Sequence, residues 1–116
     1  GTGQETRDFT FVGDLVDGLL RGGVFEEAIG QEMNLGSGVE TTSLALAEMV
    51  NKVSGNQAGI TFIPKRDWDH GTRRLASIEK ARKLIGFDPQ TRLEDGLKKV
   101  NEWFVENKHR IVYLET

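Results

Sequence analysis

At 116 residues the chain has the length of one domain, and a hydrophobic content of 37% supports a core while leaving much of the surface exposed. Fifteen Lys and Arg against eighteen Asp and Glu give a net charge of −3, which argues against general nucleic-acid binding but leaves room for a local phosphate site. The lack of cysteine excludes disulfides and thiolate metal sites and fits a reducing cytoplasm, and no apolar run approaches the ~20 residues of a membrane-spanning helix.

Phe9-Thr-Phe-Val12 is aromatic and β-branched, and predicts a first strand. Asp14 stands where a helix N-cap belongs, and Val12, Leu15, Val16, Leu19 and Leu20 follow at helical spacing. Gly22-Gly23 predicts the end of that helix, with one further helical turn within 24–30. Met33-Asn-Leu35 predicts a second strand, stopped by Gly36-Ser-Gly38. Thr41, Thr42 and Ser43 offer N-caps to a helix carrying Leu46, Met49, Val50 and Val53, which Ser54-Gly55 closes.

Ile60-Thr-Phe-Ile63 predicts a third strand, stopped by Pro64, and residues 65–74 read as a charged loop. Ser77 can cap a helix with Ile78, Ala81, Leu84 and Ile85 on one face, ended by Gly86. Thr91-Arg-Leu-Glu94 has the capping-box pattern. From it, Leu93, Leu97, Val100 and Phe104 extend a stripe to about residue 107. Ile111-Val-Tyr-Leu114 has strand character. The order implies an α/β fold with a small, mainly parallel three-stranded sheet and about four to five helices. Because a parallel sheet needs both faces covered, this architecture also predicts a partner surface.

Two groups of residues suggest anion chemistry. Gly36-Ser-Gly38 lies between a predicted strand and a predicted helix, where unpaired helix amides favour phosphate. Thr41 occupies the place at which the dinucleotide fingerprint needs a third small residue, and a tight turn explains the glycines equally. Lys65, Arg66, Arg73 and Arg74 form a basic cluster interleaved with Asp67, Asp69 and His70. Arg66 leaves the end of a predicted strand, where ligands of open sheets tend to sit, although internal ion pairs would account for the same composition. Arg7-Asp8 also reads as a surface pair. His70 and His109 are isolated, with no metal-ligand spacing, and Trp68 fits packing over its loop better than stacking on a base.

Four segments in order resemble the sugar-nucleotide-binding part of NAD-dependent epimerases and dehydratases of the extended short-chain dehydrogenase/reductase family. They are Gly3 to Leu15 around Arg7-Asp8-Phe9, Asn34-Leu-Gly-Ser-Gly38, Pro64-Lys-Arg66-Asp-Trp-Asp69, and Ser77 to Pro89 with Leu93-Glu-x-Gly96-Leu97 and Trp103-Phe104. The resemblance covers the chain to about residue 108. It implies that Arg7 and Arg66 hold the diphosphate of a nucleotide sugar, as in UDP-glucose 4-epimerase-like enzymes, and that Asp69 contacts the ribose. Trp68 stands where many members have Gly, which reshapes that loop.

The family's chemistry uses bound NAD and a Tyr-x-x-x-Lys pair in an N-terminal Rossmann half. Residues 1–116 match neither that pair nor the glycine-rich NAD loop, and the single tyrosine is Tyr113. The expectation is therefore one C-terminal substrate-binding domain without catalytic, cofactor-binding or metal residues, inactive by itself. An alternative expectation is an interaction or dimerisation module descended from such an enzyme. In that reading a second copy or the Rossmann half covers the exposed side, and residues 111–114 pair strand to strand.

Overall fold

The computed structural model describes residues 1–68 and 71–111. Strand β1, Thr6–Asp8, pairs antiparallel with β2, Glu40–Thr42, in the register Thr6↔Thr42, Arg7↔Thr41, Asp8↔Glu40. The other edge of β1 makes a single parallel bridge, Thr6↔Arg73. There the Thr6 N–H donates to Thr72 O at 2.9 Å and the Arg74 N–H to Thr6 O at 3.1 Å. Among the described residues the sheet therefore has two antiparallel strands, not the three mainly parallel ones expected.

The apolar runs 9–12, 33–35 and 60–63 form no ladder, because their side chains serve helices and glycines instead. Phe11 lies against Gly96, where an added Cβ would meet Phe11 Cδ2 at 3.2 Å. Leu35 packs against the buried core, and Phe62 lies against Gly3. β-propensity reports fit to a half-buried surface, and here that surface is not a sheet.

Helix α1, Val12–Val24, starts from an extended Phe11 and runs to Val24, through the glycines expected to end it. Asp14 is not its N-cap. Its carboxylate instead accepts the Gln90 and Thr91 N–H groups at 3.2 and 3.0 Å, fastening α1 to the entry of the last helix. Glu26–Ala28 forms the expected extra turn, of 3-10 type. Helix α2, Ser43–Ser54, is capped by Thr42, whose Oγ1 accepts from Ala45 N at 3.1 Å, and ends at left-handed Gly55. Helix α3, Glu79–Ile85, follows Ile78 rather than a Ser77 cap and ends at left-handed Gly86. Helix α4, Leu93–Glu106, is preceded by Arg92 with no side-chain cap, so the Thr91 capping box does not form. A 3-10 turn, Lys108–Arg110, follows. The expected strand at 111–114 lies, beyond Ile111, outside the described residues.

The core comprises Ala28, Ile78, Ala81, Ile85 and Phe87, with Met33, Leu35, Ala76 and Leu84 packed around it. Gly18 brings α1 close: a Cβ there would stand 2.9 Å from Phe87 Cε2 and 3.0 Å from Leu35. Helix α1 thus meets the core at Gly18, while Val12, Val16, Leu19 and Leu20 stay 46–65% exposed. Helices α2 and α4 form a second contact, bordered by a groove of about 400 Å³ lined by Phe11, Leu46, Val50, Leu97 and Val100 among others. The radius of gyration is 17.0 Å, against about 13 Å for a compact domain of this length. Among the described residues, no helix is long and apolar enough to cross a membrane.

Candidate functional site: a cationic pocket at the start of α2

Residues 1–8 cross the N-terminus of α2 and use its first amides. Ser43 N donates to Glu5 O at 2.8 Å and Leu44 N to Gly3 O at 2.9 Å. Gly3 is required twice, by its φ of +80° and by Phe62, whose Cε1 would stand 2.8 Å from an added Cβ. The segment 60–66 then passes alongside. Between these three pieces lies a pocket of about 330 Å³, lined by Gly3, Glu5, Arg7, Ser43, Leu44, Ala47 and residues 60–66.

The two arginines singled out from the sequence thus line one pocket. Arg7 reaches it from the middle of β1, half-buried, with its guanidinium donating to Thr6 O at 2.7 Å and Gly71 O at 3.1 Å. Arg66 reaches it from the loop after Pro64, with its guanidinium carbon 5.3 Å from the centre of the Trp68 ring. Lys65 lines the same pocket. Asp69, the third residue singled out, and His70 lie outside the described residues.

Glu5 was not anticipated. The Thr2 N–H, then the amides of Glu5 and Gly3, hold its carboxyl at about 2, so it is ionised at neutral pH. Three cationic side chains, Arg7, Lys65 and Arg66, and one carboxylate, Glu5, line the pocket in a chain whose net charge is −3. Glu5 stands two residues before Arg7, and side chains two apart share a face of an extended chain.

The remaining candidates have structural work. The Gly36–Gly38 turn is not a phosphate cradle. The Asp8 carboxylate occupies it, accepting from Ser37 N at 2.8 Å, Ser37 Oγ at 2.5 Å and Gly38 N at 3.0 Å. Burial alone would raise the Asp8 pKa, but these donors and the Thr10 hydroxyl outweigh it and hold the group below its usual range. Gly36 must be glycine, since a Cβ would fall 2.6 Å from Asp8 Oδ2 and 2.7 Å from Ala76 Cβ. Asp8 thus braces this turn instead of pairing with Arg7.

Arg73 grips Glu40 through two bonds of 2.6 and 2.9 Å. Arg73, with help from the Thr6 hydroxyl, holds the Glu40 carboxyl at about 2. Arg74 lines a neighbouring cavity of about 540 Å³, shared with Arg7, Asp8 and Arg73.

No protein-family model matches the chain. It is 36% identical over 104 residues to UDP-glucose 4-epimerase of Mycolicibacterium smegmatis, covering 90% of this chain and 33% of that protein. Among solved structures, the epimerase Mth375 of Methanothermobacter thermautotrophicus is 47% identical with a TM-score of 0.92, over 95% of this chain and 33% of that one. The chain belongs to the NAD-dependent epimerase/dehydratase family, as a C-terminal part of an extended short-chain dehydrogenase/reductase. A further member, UDP-glucuronic acid 4-epimerase of Bacillus cereus, was solved with UDP-glucuronic acid and NAD. It is 29% identical with a TM-score of 0.81, over 91% of this chain and 34% of that one. The chain spans about a third of the length of these epimerase/dehydratase relatives.

Proposed function

We propose that the Arg7/Arg66 pocket binds the diphosphate of a nucleotide-diphosphate sugar, making this chain the substrate-binding portion of an NAD-dependent sugar epimerase or dehydratase. The observation that carries the reading is the convergence of Arg7 and Arg66, from segments far apart in sequence, on one pocket of about 330 Å³ with Lys65 beside them. Guanidinium groups bind phosphate oxygens through paired N–H donors, and two of them from different segments suit two linked phosphates. A volume of this size lies at the small end of ligand pockets and suits the diphosphate and part of its flanks. Asp69 is the proposed acceptor for ribose hydroxyls.

These residues bind and orient; they do not carry out redox chemistry. NAD would supply the transient oxidation of the sugar in an epimerase or dehydratase. The glycine turn of this chain does not fit a dinucleotide pyrophosphate, because Asp8 already takes its amides. We therefore assign cofactor binding and the Tyr-x-x-x-Lys chemistry to polypeptide other than residues 1–116.

A titration of the ¹⁵N-labelled protein with UDP tests the reading. Amide shifts are expected near residues 3–7, 43–47 and 60–66 at millimolar ligand, weakened at least about fivefold by Arg66→Ala, as for loss of a charge-assisted hydrogen bond. Unmoved resonances at millimolar UDP would refute the assignment.

The exposed apolar side of α1 supports a second reading, in which the chain also docks another polypeptide surface. Val12, Val16, Leu19, Leu20 and Val24 remain 46–78% exposed, and contiguous apolar surface of this kind marks interaction sites. The NAD-binding portion that longer family members imply is the proposed occupant, with a second copy of this chain as the alternative. Light scattering across a concentration series separates them, since a concentration-dependent dimer would favour the second copy.

A further inference from the structure

We infer that Trp68 is a positioning residue for anion binding: its indole face holds the Arg66 guanidinium at the rim of the pocket. The inference rests on the diphosphate reading of that pocket. The two arginines are fixed by different means. Arg7 is anchored by donating to two backbone carbonyls, Thr6 O and Gly71 O. Arg66 sits on an exposed loop, with its guanidinium carbon 5.3 Å from the centre of the Trp68 ring.

The consequence is chemical. A guanidinium carries its N–H donors in its own plane. A ring face restrains the side chain without supplying a hydrogen-bond acceptor, which leaves the N–H donors for an anion. Trp68 has little packing reason to be a tryptophan. It is 71% exposed, it follows Arg66 by two residues in a turn, and it belongs to no part of the core. Its contribution is the ring face offered to Arg66.

The test is a set of UDP titrations followed by NMR on wild type, Trp68→Ala, Trp68→Phe, Arg66→Ala and the Trp68→Ala/Arg66→Ala double variant. Trp68→Ala is expected to weaken UDP binding about two- to fivefold, the range for an exposed cation–π contact. Trp68→Phe should restore most of that loss, and Trp68→Ala should have no further effect once Arg66 is alanine. In a Trp103→Phe background, the remaining indole fluorescence should change on adding UDP.

An equal loss from Trp68→Ala in the Arg66→Ala background would overturn the inference and leave the site intact. So would wild-type affinity in Trp68→Ala. Wild-type affinity in Arg66→Ala would instead remove the diphosphate reading, and this inference with it.

Discussion

Helices α1 and α3 carry the same sequence signature and meet opposite fates. On α3, the apolar residues at helical spacing, Ala81 and Ile85, are essentially inaccessible, and Ile78 and Phe87 at its two ends are buried with them. On α1, Val12, Val16, Leu19 and Leu20 are just as regularly spaced, yet they face outward. The side of α1 that touches Phe87 is Gly18, which carries no side chain at all. Periodicity says that a helix has an apolar face. Whether that face is covered depends on what lies opposite, and within the described residues nothing covers it on α1.

The largest effect that would test this contrast is on the α3 side. Phe87→Ala should destabilise the protein by about 3–5 kcal/mol, the usual cost of removing a fully buried aromatic side chain, read as a lower denaturant midpoint. A loss below about 1 kcal/mol would mean that the small core does not hold the fold together. On the α1 side, Leu19→Ser should change stability by no more than about 0.5 kcal/mol, as at an exposed site. The same variant should weaken any association with a longer family partner or a second copy. A large stability loss from Leu19→Ser in the isolated chain would show that the outward face is covered after all.

The smallest effect lies at the sheet, away from both helices. Arg73 holds the Glu40 carboxyl at about 2, below its ordinary 4.5. A carboxyl with a lowered folded-state pKa adds stability that is fully present above about 4.5 and fades as the pH falls toward 2. Both partners are solvent-exposed, so the contribution is small and screened by salt. Glu40→Gln should flatten only a minor part of the acid limb between pH 4.5 and 2, measured by thermal melts at low ionic strength. An unchanged acid limb would mean that the ion pair contributes nothing to stability.

The helices were legible in the sequence because their signals are local. Thr42 caps α2, Gly55 and Gly86 end α2 and α3 in the left-handed conformation, and the stripe from Leu93 runs along α4. The strands were not legible. Phe9 to Val12, Met33 to Leu35 and Ile60 to Ile63 have strand-like composition, but pairing needs a neighbour in register, and Phe11, Met33, Leu35 and Phe62 lie against glycines or the core instead. The actual strands, Thr6–Asp8 and Glu40–Thr42, are polar and carry almost no apolar signal.

The pocket shows the same split. Arg7 and Arg66 stood out through the order of motifs around them. Glu5 went unseen, although its spacing of two from Arg7 was visible. Gly36-Ser-Gly38 was ambiguous between an anion cradle and a turn. The Asp8 carboxylate, which comes from a distant part of the chain, resolves it as a turn.

Apolar spacing and motif order indicated by themselves where helices lie, the family, and the pair of arginines to watch, whereas only some of the expected caps form. The tertiary structure alone decided that the sheet is two-stranded and antiparallel, that the glycine turn serves Asp8, that Arg7 and Arg66 share a pocket, and that α1 turns its apolar side outward. The reason is physical: helix hydrogen bonds close within four residues, whereas ladders, cradles and pockets need groups from remote segments, and those groups compete for the same partners.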